Sequence, residues 1–241
     1  MSQPAPAESP EIEHDHANVT GGWLRPAVFG AMDGLVSNFA LIAGVVGGTA
    51  GDSSNAVVIA GLAGLAAGAC SMAAGEYTSV ASQAELAEKE IAVERREIVE
   101  NTAGEAAELA QMYVDKGVSA ELAMEVANQI HEDVDRAVAE HAREELGVDP
   151  DDLPSPLLAA GSSFLAFSVG AFLPLLPYLL GADNLLPALV VSLVALFGCG
   201  AIVTAVTSRS WLYGGVRQTV LGGAAAGITY LFGVLVGAGV N

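Results

Sequence analysis

Carboxylates recur at helical spacing in one stretch of this chain, from Glu90 to Glu108. On a helix of 3.6 residues per turn, Glu90, Glu94 and Glu97 fall within a sector of about 60°. Glu105 and Glu108 form a second pair, one turn apart. Carboxylate oxygens bind divalent cations, and like charges so spaced destabilise a helix that carries no cation. The stretch is therefore a candidate metal-binding surface.

A further pair of possible ligands follows in the same acidic segment, where His141 and Glu145 share a helical face. Three helices that bring these faces together could bind several divalent ions through oxygen ligands. Spacing alone leaves a second interpretation open, in which the acidic faces are only solvated and Glu105 caps its own helix in the pattern Thr102-Ala-Gly-Glu105. Neither an EF-hand loop nor a zinc-protease helix fits the segment.

Three more candidates lie in apolar sequence. Asp33 interrupts the run FGAMDGLVSNFALIAG. An ionisable residue within a span is costly and is a functional candidate by default, the alternative being a position near the lipid headgroups. Met72 and Glu76 are four residues apart and share one face of a helix. A thioether beside carboxylates would favour a transition metal over magnesium or calcium.

The elements that must position these residues are apolar enough for a membrane. The 241 residues are 52% hydrophobic and 15% charged, with a mean hydropathy of +0.49. Because a spanning helix needs about 20 apolar residues, we predict an all-α integral membrane protein with five transmembrane helices. The predicted spans are Pro26 to Gly51, Ala56 to Gly75, Leu157 to Ala182, Asn184 to Ser208 and Gln218 to Asn241. Three glycine pairs, Gly44/Gly48, Gly64/Gly68 and Gly233/Gly237, would allow close helix approach.

Basic residues predict how the spans are oriented. With five spans, all 9 Lys and Arg fall on one side of the membrane, the side that the positive-inside rule assigns to the cytoplasm. We therefore expect the N-terminus and the acidic insert in the cytoplasm and the C-terminus on the opposite side, in a membrane such as a bacterial plasma membrane. The predicted domains are a mobile tail (1–22), spans one and two (23–82), the insert (83–156) and spans three to five (157–241).

The insert is predicted to be a three-helix cytoplasmic metal-binding domain between the second and third spans. Its helices are a continuation of the second span to about Asn101, a helix from Thr102 to Lys116, and one from Ser119 to Leu146 with a bend allowed. It carries 20 of the 28 Asp and Glu residues. That charge argues against nucleic acid and favours cations as partners. Two cysteines in apolar segments indicate no disulfide framework.

Three motifs resemble the vacuolar iron transporter family: FGAMDGLVSNFALIAGVVGG, GLAAGACSMAAGEYTSVASQAE and FLPLLPYLL, with the Glu-rich insert between the second and third. The resemblance extends from about Leu24 to Gly239. It implies a homodimer of five-span chains that exports Fe²⁺, and often Mn²⁺, from the cytoplasm in exchange for protons, with no prosthetic group.

The resemblance also implies roles for particular residues. Asp33 and Met72 would line the translocation path near the dimer interface. Five glutamates would bind metal in the cytoplasm, namely Glu94, Glu97, Glu105, Glu108 and Glu145. Two positions depart from the pattern, because Gly64 stands where some members have a glutamate and His141 where some have a methionine. Glu76 could supply the missing acid, and His141 would bind metal more pH-dependently.

Two other classes of protein remain as alternatives. A membrane-anchored protein could store metal in the insert, although an anchor has no use for Asp33, Met72 and Glu76 in its spans. A divalent-cation channel would conduct without proton movement. We do not expect an enzyme, since no nucleophile and base are paired in the sequence.

Overall fold

The computed structural model describes residues 22–49, 54–206 and 210–240, and these residues form helices and connecting turns without a strand. The helices are α1 (Leu24–Gly48), α2 (Ser54–Glu100), α3 (Thr102–Asp115), α4 (Ala120–Ile130), α5 (Val134–His141), a π-helical turn (Ala142–Leu146), α6 (Pro156–Leu179), α7 (Leu185–Val206) and α8 (Trp211–Val240). Five of them, α1, α2, α6, α7 and α8, are long and apolar enough to cross a membrane. The predictions of an all-α chain and of five such helices are confirmed. The predicted mobile tail lies outside the described residues, apart from Gly22.

Helix α1 lies at the centre of the membrane bundle and packs against α6 and α8. Glycines permit this contact, because a Cβ added to Gly233 would collide with the carbonyl oxygen of Gly44, and one added to Gly237 with that of Gly48. Thr229 Oγ1 also donates a hydrogen bond to the carbonyl oxygen of Ala40, at 2.7 Å. The two predicted glycine pairs of α1 and α8 therefore face each other and bring the helices together.

Helix α2 joins the membrane bundle to the insert without interruption. Its 47 residues extend about 70 Å at 1.5 Å per residue. Its apolar first part packs against α6, and its acidic second part packs against α5 and α3. Ile98 on α2 is buried with Ala137 and Val138 on α5, which fixes α5 against the end of α2. Positions in the membrane and in the insert are thus held on one helix.

The third predicted helix of the insert is broken, whereas one helix from Ser119 to Leu146 was expected. Helix α4 ends at Ile130, and the Asp133 side chain then caps α5 by accepting a hydrogen bond from the backbone N–H of Arg136 at 3.0 Å. An aspartate that satisfies a free N–H of a first turn favours a helix start over a helix interior. The break lets α4 and α5 pack on different neighbours.

The fifth apolar helix begins at Trp211, about two turns before the predicted start at Gln218. The prediction required a stretch without charge and so excluded Arg217. In the structure the Arg217 guanidinium lies 5.6 Å from the ring centroid of Tyr213. A long basic side chain beside an aromatic ring is tolerated at a helix end, because its charged head can reach the headgroups.

Candidate functional site

A cavity of about 200 Å³ lies where α1, α2 and α6 meet within the membrane bundle. Asp33 from α1 and Met72 from α2 both line it, together with the hydroxyl-bearing Ser37 and Ser71. The structure therefore places the predicted aspartate and methionine at one cavity. Glu76, one turn further along α2, is outside the lining of this cavity, and its part in the path stays a prediction.

The cavity exists because glycines keep the helices close without filling the space between them. A Cβ on Gly68 would collide with the ring of Phe167, and one on Gly64 would lie 3.0 Å from Oδ1 of Asn38. Gly34 lets α1 approach the backbone of α6 at Phe167. Sequence reasoning recognised the Gly64/Gly68 pair but could not identify its neighbours.

Asn38 also lines the cavity and was missed by the sequence analysis. Its Nδ2 donates a hydrogen bond to the carbonyl oxygen of Ala171, at 2.6 Å. The residue is buried, and its Oδ1 accepts no hydrogen bond from the described part of the chain. The available signal is an amide five positions after Asp33 in an apolar segment.

A second cluster lies in the insert, where Glu94, Glu105 and His141 come together from α2, α3 and α5. One possible ligand atom from each lies within 4.8 Å of the others. Glu94 and His141 are buried, and Glu105 is half-buried. Asn101 Oδ1 caps α3 by accepting a hydrogen bond from the N–H of Gly104, so the proposed Thr102 capping box is not formed. Glu105 is thereby free to face the cluster.

Hydrogen bonds orient the His141 ring. His131 Nδ1 lies 2.8 Å from the carbonyl oxygen of Ala127, which can only accept, so Nδ1 carries the hydrogen. Burial lowers the pKa of His131, which favours its neutral form, and its Nε2 is then an acceptor. That nitrogen lies 3.3 Å from His141 Nε2, which must donate. The arrangement leaves His141 Nδ1 for the carboxylates.

His141 Nδ1 lies 2.7 Å from Oε1 of Glu145 and 2.9 Å from Oε1 of Glu94. Only the contact with Glu145 has the geometry of a hydrogen bond. Glu94 Oε1 has no hydrogen-bond partner among the described residues. A proton shared between Nδ1 and these carboxylates would hold the three groups together. A cation would replace that proton, because Nδ1 then offers a lone pair beside carboxylate oxygens.

Electrostatics in the cluster favour its protonated or metal-bound form. Burial raises the pKa of Glu94 from 4.5 to about 7, and the neighbouring carboxylates, Glu145 first, add to the rise against the attraction of His141. Burial and Glu108 raise the pKa of Glu105 as well. A divalent cation would relieve both the repulsion and the loss of solvation.

The other predicted glutamates lie around this cluster at different distances. Glu97 and Glu108 are exposed, yet both contribute to the raised pKa of Glu105. Glu90 instead forms an ion pair with Lys89, at 3.3 Å. The structure thus gathers Glu94, Glu105, His141 and Glu145, with Glu97 and Glu108 at the rim and Glu90 apart. His131 was missed as a partner of His141 because their contact depends on the break before Asp133, whose capping position was the available signal.

Comparison with known proteins finds a matching family model and similar proteins. The family model described as the VIT family matches residues 24–234. The vacuolar iron transporter of Acanthamoeba castellanii is 37% identical over 231 residues, covering 92% of this chain and 82% of that protein. Vacuolar iron transporter homolog 5 of Oryza sativa subsp. japonica is 36% identical over 233 residues, covering 93% and 86%.

A third relative, vacuolar iron transporter 1 of Arabidopsis thaliana, is 31% identical over 188 residues, covering 76% of this chain and 74% of that protein. The match to the family model includes the first four apolar helices, the insert and most of α8. The chain therefore belongs to the VIT family.

Proposed function

We propose that this protein exports Fe²⁺, and also Mn²⁺, from the cytoplasm in exchange for protons. The observation that carries the proposal is that one helix bears both candidate sites. Met72 at the membrane cavity and Glu94 in the insert cluster are both on α2, about 33 Å apart along its axis. The names of the relatives support iron as the cargo.

In the proposed mechanism the insert collects metal first. Binding to Glu94, Glu105 and His141 requires the carboxylates to be ionised and displaces the proton that the carboxylates share with His141 Nδ1. With a pKa of about 7, Glu94 exchanges its proton within the range of cytoplasmic pH. Exposed Glu97 and Glu108 at the rim would raise the local cation concentration.

The metal then passes along α2 to the membrane cavity. Asp33 supplies a carboxylate and Met72 a thioether, a combination suited to a divalent transition metal. A carboxylate that has released its metal inside a bundle is poorly solvated and takes up a proton readily. Return of that proton would complete the exchange. We propose that the protein works as a homodimer, with the insert on the cytoplasmic side.

The proposal is tested by flux in liposomes that contain the purified protein. Mn²⁺ or Fe²⁺ entry and internal pH are recorded for the wild type and for Asp33→Asn. We expect coupled metal and proton movement in opposite directions with the wild type, and only the background of protein-free liposomes with Asp33→Asn. Asp183→Asn, which removes an exposed carboxylate from the loop before α7, is the matched control and should transport normally.

Other results of the liposome experiment would contradict the proposal in different ways. Wild-type flux from Asp33→Asn would remove Asp33 from the path. Metal flux without proton movement would identify a channel. Tight metal binding with no flux in any variant would identify a storage protein.

A further inference from the structure

We propose that Asn38 Oδ1 is a cation ligand in the membrane cavity, beside Asp33 and Met72. This inference rests on the proposed function, because it assumes that metal enters that cavity. It adds a neutral oxygen ligand to the site.

The orientation of the Asn38 amide is fixed by one hydrogen bond. The carbonyl oxygen of Ala171 can only accept, so the group 2.6 Å from it is the NH₂ of the amide. Oδ1 therefore lies at the opposite edge of the planar amide group, towards Gly64 of α2. The two residues are 133 positions apart in sequence, and the contact holds α1 against α6.

The oxygen so oriented is buried and unpaired. Asn38 is 2% exposed, and its Oδ1 accepts no hydrogen bond from the described residues. Because nearly all buried polar groups have a partner, an amide oxygen that lines a cavity in this state is a site for a ligand. In the insert cluster, Glu94 Oε1 is in the same condition beside His141.

The chemistry of the amide suits a transport site. An amide oxygen coordinates a divalent cation without first losing a proton, unlike Asp33. With one carboxylate at the cavity, a bound divalent ion keeps part of its charge. A site of this kind binds the ion and also releases it, which conduction through a membrane requires.

Gly64 gives access to the same oxygen from α2. A Cβ at position 64 would lie 3.0 Å from Asn38 Oδ1, and its other near neighbour is the flexible end of Leu41. Shortening Asn38 removes the first obstacle. A glutamate at position 64 would then direct its carboxylate into the space that the amide oxygen has left.

The test compares Mn²⁺ uptake by liposomes containing the wild type, Asn38→Leu, or the double variant Asn38→Ala/Gly64→Glu. Leucine is close to asparagine in size but has no ligand atom. We expect Asn38→Leu to raise the KM for Mn²⁺ about tenfold or more, the scale of losing one group from a metal site. The double variant should recover most of that loss. Ser192→Ala, which removes another buried oxygen that has no hydrogen-bond partner in the described part of the chain, is the matched control and should keep the wild-type KM.

A second measurement separates a ligand from a group that only anchors α1 to α6. Zn²⁺ tolerates a thioether better than Mn²⁺, which prefers oxygen. Loss of an oxygen ligand should therefore raise the KM for Mn²⁺ by a larger factor than it raises the inhibition constant of Zn²⁺ as a competitor. Loss of an anchor should raise both constants by the same factor. This ratio is read from Asn38→Leu alone, so it does not depend on folding of the double variant.

Two results would overturn the inference. One is a wild-type KM for Mn²⁺ in Asn38→Leu. The other is an equal loss for Mn²⁺ and Zn²⁺ in that variant. If Asp33→Asn abolishes transport in the same preparation, such results remove Asn38 and leave the proposed function in place. Normal transport by Asp33→Asn would refute both the role of Asn38 and the proposed function.

Discussion

Glu94 shows how burial and neighbouring charge set the chemistry of a single residue. Its pKa of about 7 means that the folded, metal-free protein holds a proton that the unfolded chain, with a pKa of 4.5, releases. The resulting stabilisation is complete below pH 4.5 and is lost as the pH rises through about 7. Metal binding has the opposite dependence, because it requires the ionised carboxylate.

We expect the melting temperature of the metal-free protein to fall between pH 5 and pH 8, and Glu94→Gln to remove much of this fall because glutamine does not titrate. Differential scanning fluorimetry across that range measures it. Saturating Mn²⁺ should reverse the trend in the wild type. Glu121→Gln, an exposed glutamate on α4, is the control, and a pH profile for Glu94→Gln identical to the wild type would contradict the prediction.

His131 contributes to the candidate metal site indirectly, through its contact with His141. By accepting the hydrogen of His141 Nε2, it keeps His141 Nδ1 directed at Glu94 and Glu145. Partners that orient a metal-binding imidazole are worth about 10–100-fold in affinity. We expect His131→Leu to weaken Mn²⁺ binding to the purified protein by that factor, as measured by calorimetry.

The control for this prediction is the adjacent exposed Glu132→Gln, which leaves the two rings in contact. Nitrogen NMR of the histidine rings offers a readout independent of affinity, since His141 should no longer favour one tautomer in His131→Leu. Unchanged affinity together with an unchanged tautomer would refute the role of His131.

At the scale of elements, glycine contacts decide how the membrane helices meet. Gly233 on α8 lies against the carbonyl oxygen of Gly44 on α1, where a methyl group cannot be accommodated without moving backbone. Gly227, also on α8, has nothing within 4 Å of an added Cβ. The same substitution should therefore have opposite effects at the two positions.

We expect Gly233→Ala to destabilise the protein by about 1–3 kcal/mol through overpacking. Gly227→Ala should be neutral or stabilising by up to about 1 kcal/mol, because alanine favours the helix. Thermal unfolding of both variants in the same detergent measures the difference. Equal melting temperatures would show that α1 and α8 do not depend on this contact.

For the molecule as a whole, the continuous helix α2 links the membrane bundle to the insert and so relates the insert to one side of the membrane. In the proposed topology the chain crosses in α1 and returns in α2, which would put Gly22 and the insert on one side and the loop at Asp183 on the other. The acidic insert would then face the source of metal. The insert alone carries 20 of the 28 Asp and Glu residues and would place them on that side.

We expect a cysteine introduced in place of Glu121 to react with a membrane-impermeant maleimide only from the cytoplasmic side, and one in place of Asn184 only from the opposite side. The background for both is Cys70→Ala/Cys199→Ala, which removes the native thiols. Labelling of intact cells and of inverted vesicles distinguishes the sides. Reaction of both cysteines from one side would reject the proposed topology.

Features that depend only on neighbouring residues could be predicted from the sequence. Five helical spans follow from the length and apolarity of local runs, and the acidic insert follows from composition. Asp33 and Met72 were identified because a carboxylate and a spaced thioether stand out in apolar sequence. The end of α2 was also predicted, since its signals lie within a few residues.

Which of these residues contact each other depends on the tertiary structure. Asn38 was not predicted because its orientation depends on Ala171 in another helix. The contact of His131 with His141 required the helix break at Asp133, where a side chain competes with the helix for a backbone N–H. Spacing along one helix predicts a shared face, but the pairing of faces depends on packing between elements distant in sequence. Those contacts form only in the folded chain.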